Sequence, residues 1–193
     1  MARSIAPNER QSAFASAGPT PDMPLTPFHL GPGILFGLLL LRYVDFPTFV
    51  IGGVVVDWRA ALVYSGFWPG PRHRWMHTYL GGLAFSLLVV AAMVAVRPRI
   101  DGMLERLEIR QRVTTATIAA GAFLAVTIHV TIDAFHHPTM RPLLPLDGNL
   151  LYGLFSTFEL RAFTAFCLFL GVQLYLVYFL DLLGLDLRSR AAE

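Results

Sequence analysis

The chain has 193 residues, 55% of them hydrophobic and only 15% charged, with a formal net charge of +2. Soluble domains carry nearer ~25% charged residues, so an ordinary water-exposed globule, a disordered chain and a disulfide scaffold are excluded. Every basic residue is an arginine, placed between apolar runs with no aromatic–basic platform, which argues against nucleic acid as a partner.

Residues 1–24 are polar and carry Pro7, Pro19, Pro21 and Pro24, the pattern of a disordered tail. An integral membrane helical domain over 25–185 follows, and 186–193, with Arg188 and Arg190, read as a short polar C-terminal tail. Within the domain, residues 30–41 are apolar, Arg42-Tyr43-Val44-Asp45 interrupt, and 46–56 resume with Pro47 suited to a helix start. Asp57 and Arg59 lie in the continuation to Tyr64. These two segments are short for full spans and read as a tight helical hairpin. Pro69-Gly70-Pro71 marks a turn.

Three longer runs follow. Residues 78–96 are uncharged, 113–132 hold one ionisable residue, His129, and 162–180 are again uncharged. Each can cross a ~30 Å hydrocarbon layer at ~1.5 Å per residue, and none has the polar face that a soluble bundle requires. Between them, 97–112 read as a charged loop with five arginines, and 135–158, with Pro138, Pro142, Pro145 and Asp147-Gly148-Asn149, as a structured loop or re-entrant segment. The fold class is therefore all-α, a polytopic membrane helix bundle of about five hydrophobic segments. Arginine density puts 97–112 on the cytoplasmic side of the cell (inner) membrane, and the opposite end on the extracytoplasmic side.

If the five segments alternate in direction, all six histidines fall at that opposite end: His29, His73, His77, His129, His136 and His137. His129 and Asp133 are four residues apart and so share one helix face. An imidazole and a carboxylate at that spacing can grip one cation, and Zn²⁺ takes N and O ligands. Asp57 sits in an apolar stretch, where an unpaired carboxylate is costly. Ionisable residues in membrane segments are functional candidates by default. A divalent metal, one or two ions, would satisfy Asp57, Asp133 and the histidines together.

Five blocks carry a resemblance. They are Thr26-Pro27-Phe28-His29-Leu30-Gly31-Pro32-Gly33, then Asp57, then His77-Thr78-Tyr79-Leu80-Gly81-Gly82, then His129-Val130-Thr131-Ile132-Asp133, then Arg141-Pro142-Leu143-Leu144-Pro145-Leu146. Their order resembles the YdjM-like family of inner-membrane metal-dependent hydrolases, over roughly residues 24–180. That family is distantly similar to zinc-dependent phospholipase C and P1-type nucleases. The resemblance implies Asp57, His77, His129 and Asp133 as ligands of one zinc, with His29 and Asp133 toward a second. His136, His137 and Asp147 stand where further ligands could come from.

The chemistry expected of such a site is hydrolysis, with Asp57 or Asp133 able to orient a water. Arg141 and Arg74, with Arg72, could steady a phosphate on an amphiphilic substrate among membrane lipids. The same arginines equally suit lipid headgroups. Two non-catalytic alternatives use the same residues: a polar cluster that only locks helices together, or an ion pathway lined by Asp57 and His129.

Overall fold

The computed structural model describes residues 27–69 and 75–181. The two tails, and with them His73, Arg72 and Arg74, lie outside the described residues. Helices supply every regular element there: α1 (Pro27–Leu39), α2 (Phe46–Val55), α3 (Trp58–Tyr64), a 3₁₀ turn (Trp75–His77), α4 (Tyr79–Arg106), α5 (Thr115–His136) and α6 (Thr157–Leu174), which runs on into a π-helical turn (Tyr175–Phe179).

Four helical stretches are long and apolar enough to cross a membrane: Phe46–Val63, Tyr79–Arg106, Thr115–His136 and Thr157–Phe179, with His29–Leu39 a shorter apolar helix. The chain is thus built as an integral membrane bundle. Its outward surface agrees, for Leu80, Leu83, Leu87 and Leu88 of α4 and Phe158, Phe166 and Phe169 of α6 are all exposed, large apolar side chains that lipid covers better than water. The second limb of the hairpin is longer than its sequence suggests. A single irregular turn at Val56–Asp57 joins α2 to α3, and the pair reaches span length.

Packing is ordered around α5. It lies against α2 on one side and α4 on another, while α6 leans on α1 and hardly touches α5. Small residues allow the close approaches: a Cβ on Gly52 would stand 3.2 Å from Ala125 Cβ, and one on Gly121 would stand 3.1 Å from the Asp45 carbonyl oxygen. The tightest crossing is α1 on α6, where a Cβ on Gly31 would lie 2.1 Å from the Thr164 backbone oxygen. Backbone cannot retreat as a side chain can. Gly31→Ala is therefore expected to force the two helices apart and lower stability by at least the ~1–3 kcal/mol of ordinary overpacking, read as a lower midpoint of thermal unfolding in detergent.

One sequence expectation is overturned. Residues 97–106 are not loop but the last turns of α4, which at 28 residues is about 42 Å long. Met, Leu, Glu and Arg are good helix formers whatever their charge, so a charged stretch need not end a helix. Termination comes later, in a Schellman arrangement: the Glu108 N–H donates to Glu105 O at 3.0 Å and Ile109 N–H to Leu104 O at 2.9 Å, with Glu108 at φ 57°. Leu104 and Ile109 pack together in the core there. Arg97, placed in a loop by its sequence, is buried. Its Nε donates to Asp45 Oδ1 at 2.7 Å and its Nη1 to Asp101. Gln111 closes the same end by donating to the carbonyls of Leu41 and Val44, both at 2.8 Å.

Candidate metal centre

At the other end of the bundle the irregular turn between α2 and α3 has a definite consequence. The Asp57 N–H donates to Val54 O at 3.1 Å, one residue short of its regular helical partner, Gly53. That leaves the Gly53 carbonyl to accept from His129 Nδ1 at 2.8 Å, across from α5. The same turn buries the Asp57 side chain against the imidazoles of His77 and His129.

His77 reaches the site from the 3₁₀ turn ahead of α4. Thr78 caps that helix, accepting from Gly81 N–H at 2.9 Å and donating its hydroxyl to Trp75 O at 2.7 Å. The fold-back is so tight that a Cβ on Gly81 would stand 1.8 Å from Trp75 O. The Tyr79 N–H then donates to Pro142 O at 2.8 Å, which ties the loop after α5 to this corner. His129 and Asp133 come from successive turns of α5, and His29 from the first turn of α1.

These five side chains converge, all of them buried. His77 Nε2 lies 3.2 Å from Asp57 Oδ1 and 3.6 Å from Asp133 Oδ2. His129 Nε2 lies 3.4 Å from Asp57 Oδ1 and 3.3 Å from Asp133 Oδ2. Zinc bonds of ~2.0–2.1 Å would set ligand atoms about 3.3 Å apart along the edges of a tetrahedron, so four of the six edges are already near that length. One ligand atom from each of Asp57, His77, His129 and Asp133 lies within 4.8 Å of all the others. This group could hold a metal ion.

The donor chemistry favours a cation at the centre. A carbonyl oxygen can only accept, so His129 Nδ1 carries the proton in its bond to Gly53, and in the neutral ring Nε2 presents a lone pair. Nε2 faces Asp57 Oδ1 and Asp133 Oδ2 and has no hydrogen-bond partner among the described residues; a second proton on the ring or a metal ion would each supply the positive charge that two buried carboxylates require. A divalent ion would be coordinated by Nε2 and both carboxylates, and its charge would match theirs with the imidazoles neutral. The Gly53 carbonyl would then be the outer partner that orients the His129 imidazole.

His29 joins them beside His129, the two ring centroids 4.0 Å apart. Its Nε2 is 3.1 Å from Asp133 Oδ1 and 3.9 Å from Asp57 Oδ2. The remaining candidates fall elsewhere. His136 lies at the end of α5, with Nδ1 3.3 Å from the Thr157 hydroxyl, and stacks edge-on with His137. Asp147 is exposed and accepts from Arg141 Nη1 at 2.9 Å. Arg141 nonetheless sits one residue from Pro142, on the loop tied to the His77 corner.

Two contributors have no sequence signal that would have marked them. The Gly53 carbonyl is backbone, freed only by a local break in the helix. Asn149 reads as a turn residue, yet its amide donates to Ala134 O at 2.8 Å and His137 O at 3.0 Å, finishing α5 just beyond Asp133. No family model, curated protein or solved structure matches this chain.

Proposed function

We propose that this protein is a membrane-embedded zinc-dependent hydrolase of a phosphoester substrate at the bilayer interface. The observation that carries the reading is the convergence of one atom each from Asp57, His77, His129 and Asp133, all buried, within 4.8 Å of one another. The order of His29, Asp57, His77, His129, Asp133 and Arg141, which resembles the YdjM-like hydrolases, supports it. A zinc ion held there would supply Lewis acidity and a nucleophile at neutral pH.

The chain's own residues then have distinct tasks. Asp57 Oδ1, Asp133 Oδ2, His77 and His129 would hold the ion. His29, near Asp133 Oδ1 and Asp57 Oδ2, offers a place for a second ion, whose excess charge an anionic phosphate would neutralise. Asp57 and Asp133 can each present their other oxygen to a water's proton and so aim it. Arg141 is available to the substrate, because an exposed pair such as Arg141–Asp147 is worth under ~1 kcal/mol and a guanidinium binds phosphate in a bidentate manner.

A second reading rests on a specific feature. Four buried protein ligands are typical of structural zinc, whereas catalytic zinc keeps a position open. The two readings separate on one experiment. Zinc-loaded protein in detergent is assayed with a chromogenic phosphodiester, and Arg141→Ala is compared with wild type. Catalysis predicts an intact metal content with kcat/KM reduced roughly 10-fold or more, the loss of one charge-assisted hydrogen bond of ~1.5–3 kcal/mol. Full metal content without turnover in either protein would leave only the structural role.

A further inference from the structure

Because α6 leans on α1, a groove of about 360 Å³ is left between α5 and α6, lined by Ile132, Phe135, Phe155, Glu159, Leu160 and Phe163. All but Glu159 are aliphatic or aromatic. The Glu159 carboxylate is already engaged, accepting from the Ser156 N–H at 2.7 Å and the Ser156 hydroxyl at 2.8 Å. Its size is in the ~300–1,000 Å³ range of ligand sites.

The position of the groove matters more than its size. Ile132 and Phe135 flank Asp133 on α5, so the groove lies level with the candidate metal centre. Ile132 has two faces: it walls the groove, and it also walls a void of about 10 Å³ bounded by His29 and His129. The flanking helices are both of membrane-spanning length, so in a bilayer the gap between them would face sideways, toward lipid. Phe155 and Phe163 remain partly exposed at its mouth. The Phe135 and Phe155 rings meet edge to face at 4.9 Å and give it a rigid wall.

We infer that this groove holds an acyl chain, and that the substrate of the neighbouring site is a phosphate-bearing lipid that enters from the bilayer between α5 and α6. The phosphate part of this inference rests on the hydrolase reading; the acyl-chain part rests on the groove alone. With its chain against Ile132, Phe135 and Phe163, such a lipid carries its head toward Asp133 and Arg141 without leaving the membrane.

The test uses the full chain in phosphatidylcholine vesicles doped with phosphatidic acid that bears a diazirine on one acyl chain. After photolysis, adducts are mapped by mass spectrometry. Labelling is expected to concentrate on Phe135, Phe155 and Phe163 over Leu83, Leu87 and Leu88 of α4. It is expected to be lost in Phe155→Trp/Phe163→Trp, which fills the groove, with metal content unchanged as the check on folding. Unlabelled phosphatidic acid should displace it and inorganic phosphate should not. Even labelling of α4 and the groove overturns the inference, as do adducts at the mass of a chain dimer, which would put a second copy in the groove. Displacement by inorganic phosphate alone also overturns it. The Asp133→Asn variant separates the two ideas: it is expected to lose metal yet keep the adducts. Adducts on a wild-type protein that never binds metal would uphold the groove and reject the hydrolase.

Discussion

Purified protein loaded with zinc should hold a stoichiometric divalent ion, and Asp133→Asn should lose it. Asp133 is approached by all three converging imidazoles, through Oδ2 by His77 and His129 and through Oδ1 by His29. Replacing one ionised oxygen by an amide removes a ligand and half of the negative charge together. The fall in affinity should exceed the ~10–100-fold typical of losing an outer-shell partner. His129→Ala should do the same, since it removes the nitrogen that Gly53 aims. Metal analysis by mass spectrometry after dialysis reads the result directly. Chelator should lower the unfolding midpoint of wild type but not of either variant, because an ion at about 1,000 times its dissociation constant adds ~4 kcal/mol to the folded state. Acidification should release the ion, since protons compete for the imidazole nitrogens. Equal metal in wild type and Asp133→Asn, or none in both, would remove the basis for the hydrolase.

Arg97→Leu should be among the most destabilising single substitutions in the chain. It leaves Asp45 buried and ionised with its principal counter-charge gone, a situation that costs ~3–5 kcal/mol. The Asp45 carboxylate would retain only the Thr48 backbone N–H at 3.2 Å and the Thr48 hydroxyl at 2.6 Å. Adding Asp45→Asn to Arg97→Leu should recover most of the loss, because the stranded charge disappears. Unfolding midpoints of the two single variants and the double variant give the coupling directly. Metal content should be unchanged in those that fold, for Asp45 and Asp57 are about 18 Å apart along α2. Additive losses in the double variant would show that the pair contributes nothing beyond its separate side chains.

The two polar clusters contrast in how their residues announced themselves. His129 and Asp133 share a helix face by spacing alone, and an isolated Asp57 in an apolar run already asked for a partner. Arg97 and Asp45 gave no such hint, since one opens a charged run and the other sits in a short break, and only packing α4 beside α2 joins them. Arg141 and Asp147 are similar: the sequence offers the guanidinium to a phosphate, and the folded loop supplies a nearby carboxylate first.

What the primary structure determined by itself was whatever depends on local chain chemistry. Run length and the lack of charge mark α4, α5 and α6 as spans, because burying twenty residues in hydrocarbon is a property of those residues and not of their neighbours. Alternation of the segments then sends the histidines to one end. Tertiary structure alone decided which of them meet. The break at Asp57 turns its carboxylate inward, Gly53 orients the ring of His129, Gly81 lets His77 fold back over α4, and Asn149 closes α5 beyond Asp133. A backbone carbonyl or a missing Cβ acts only at the distance where another helix arrives, and that distance is set by the packing of the whole bundle.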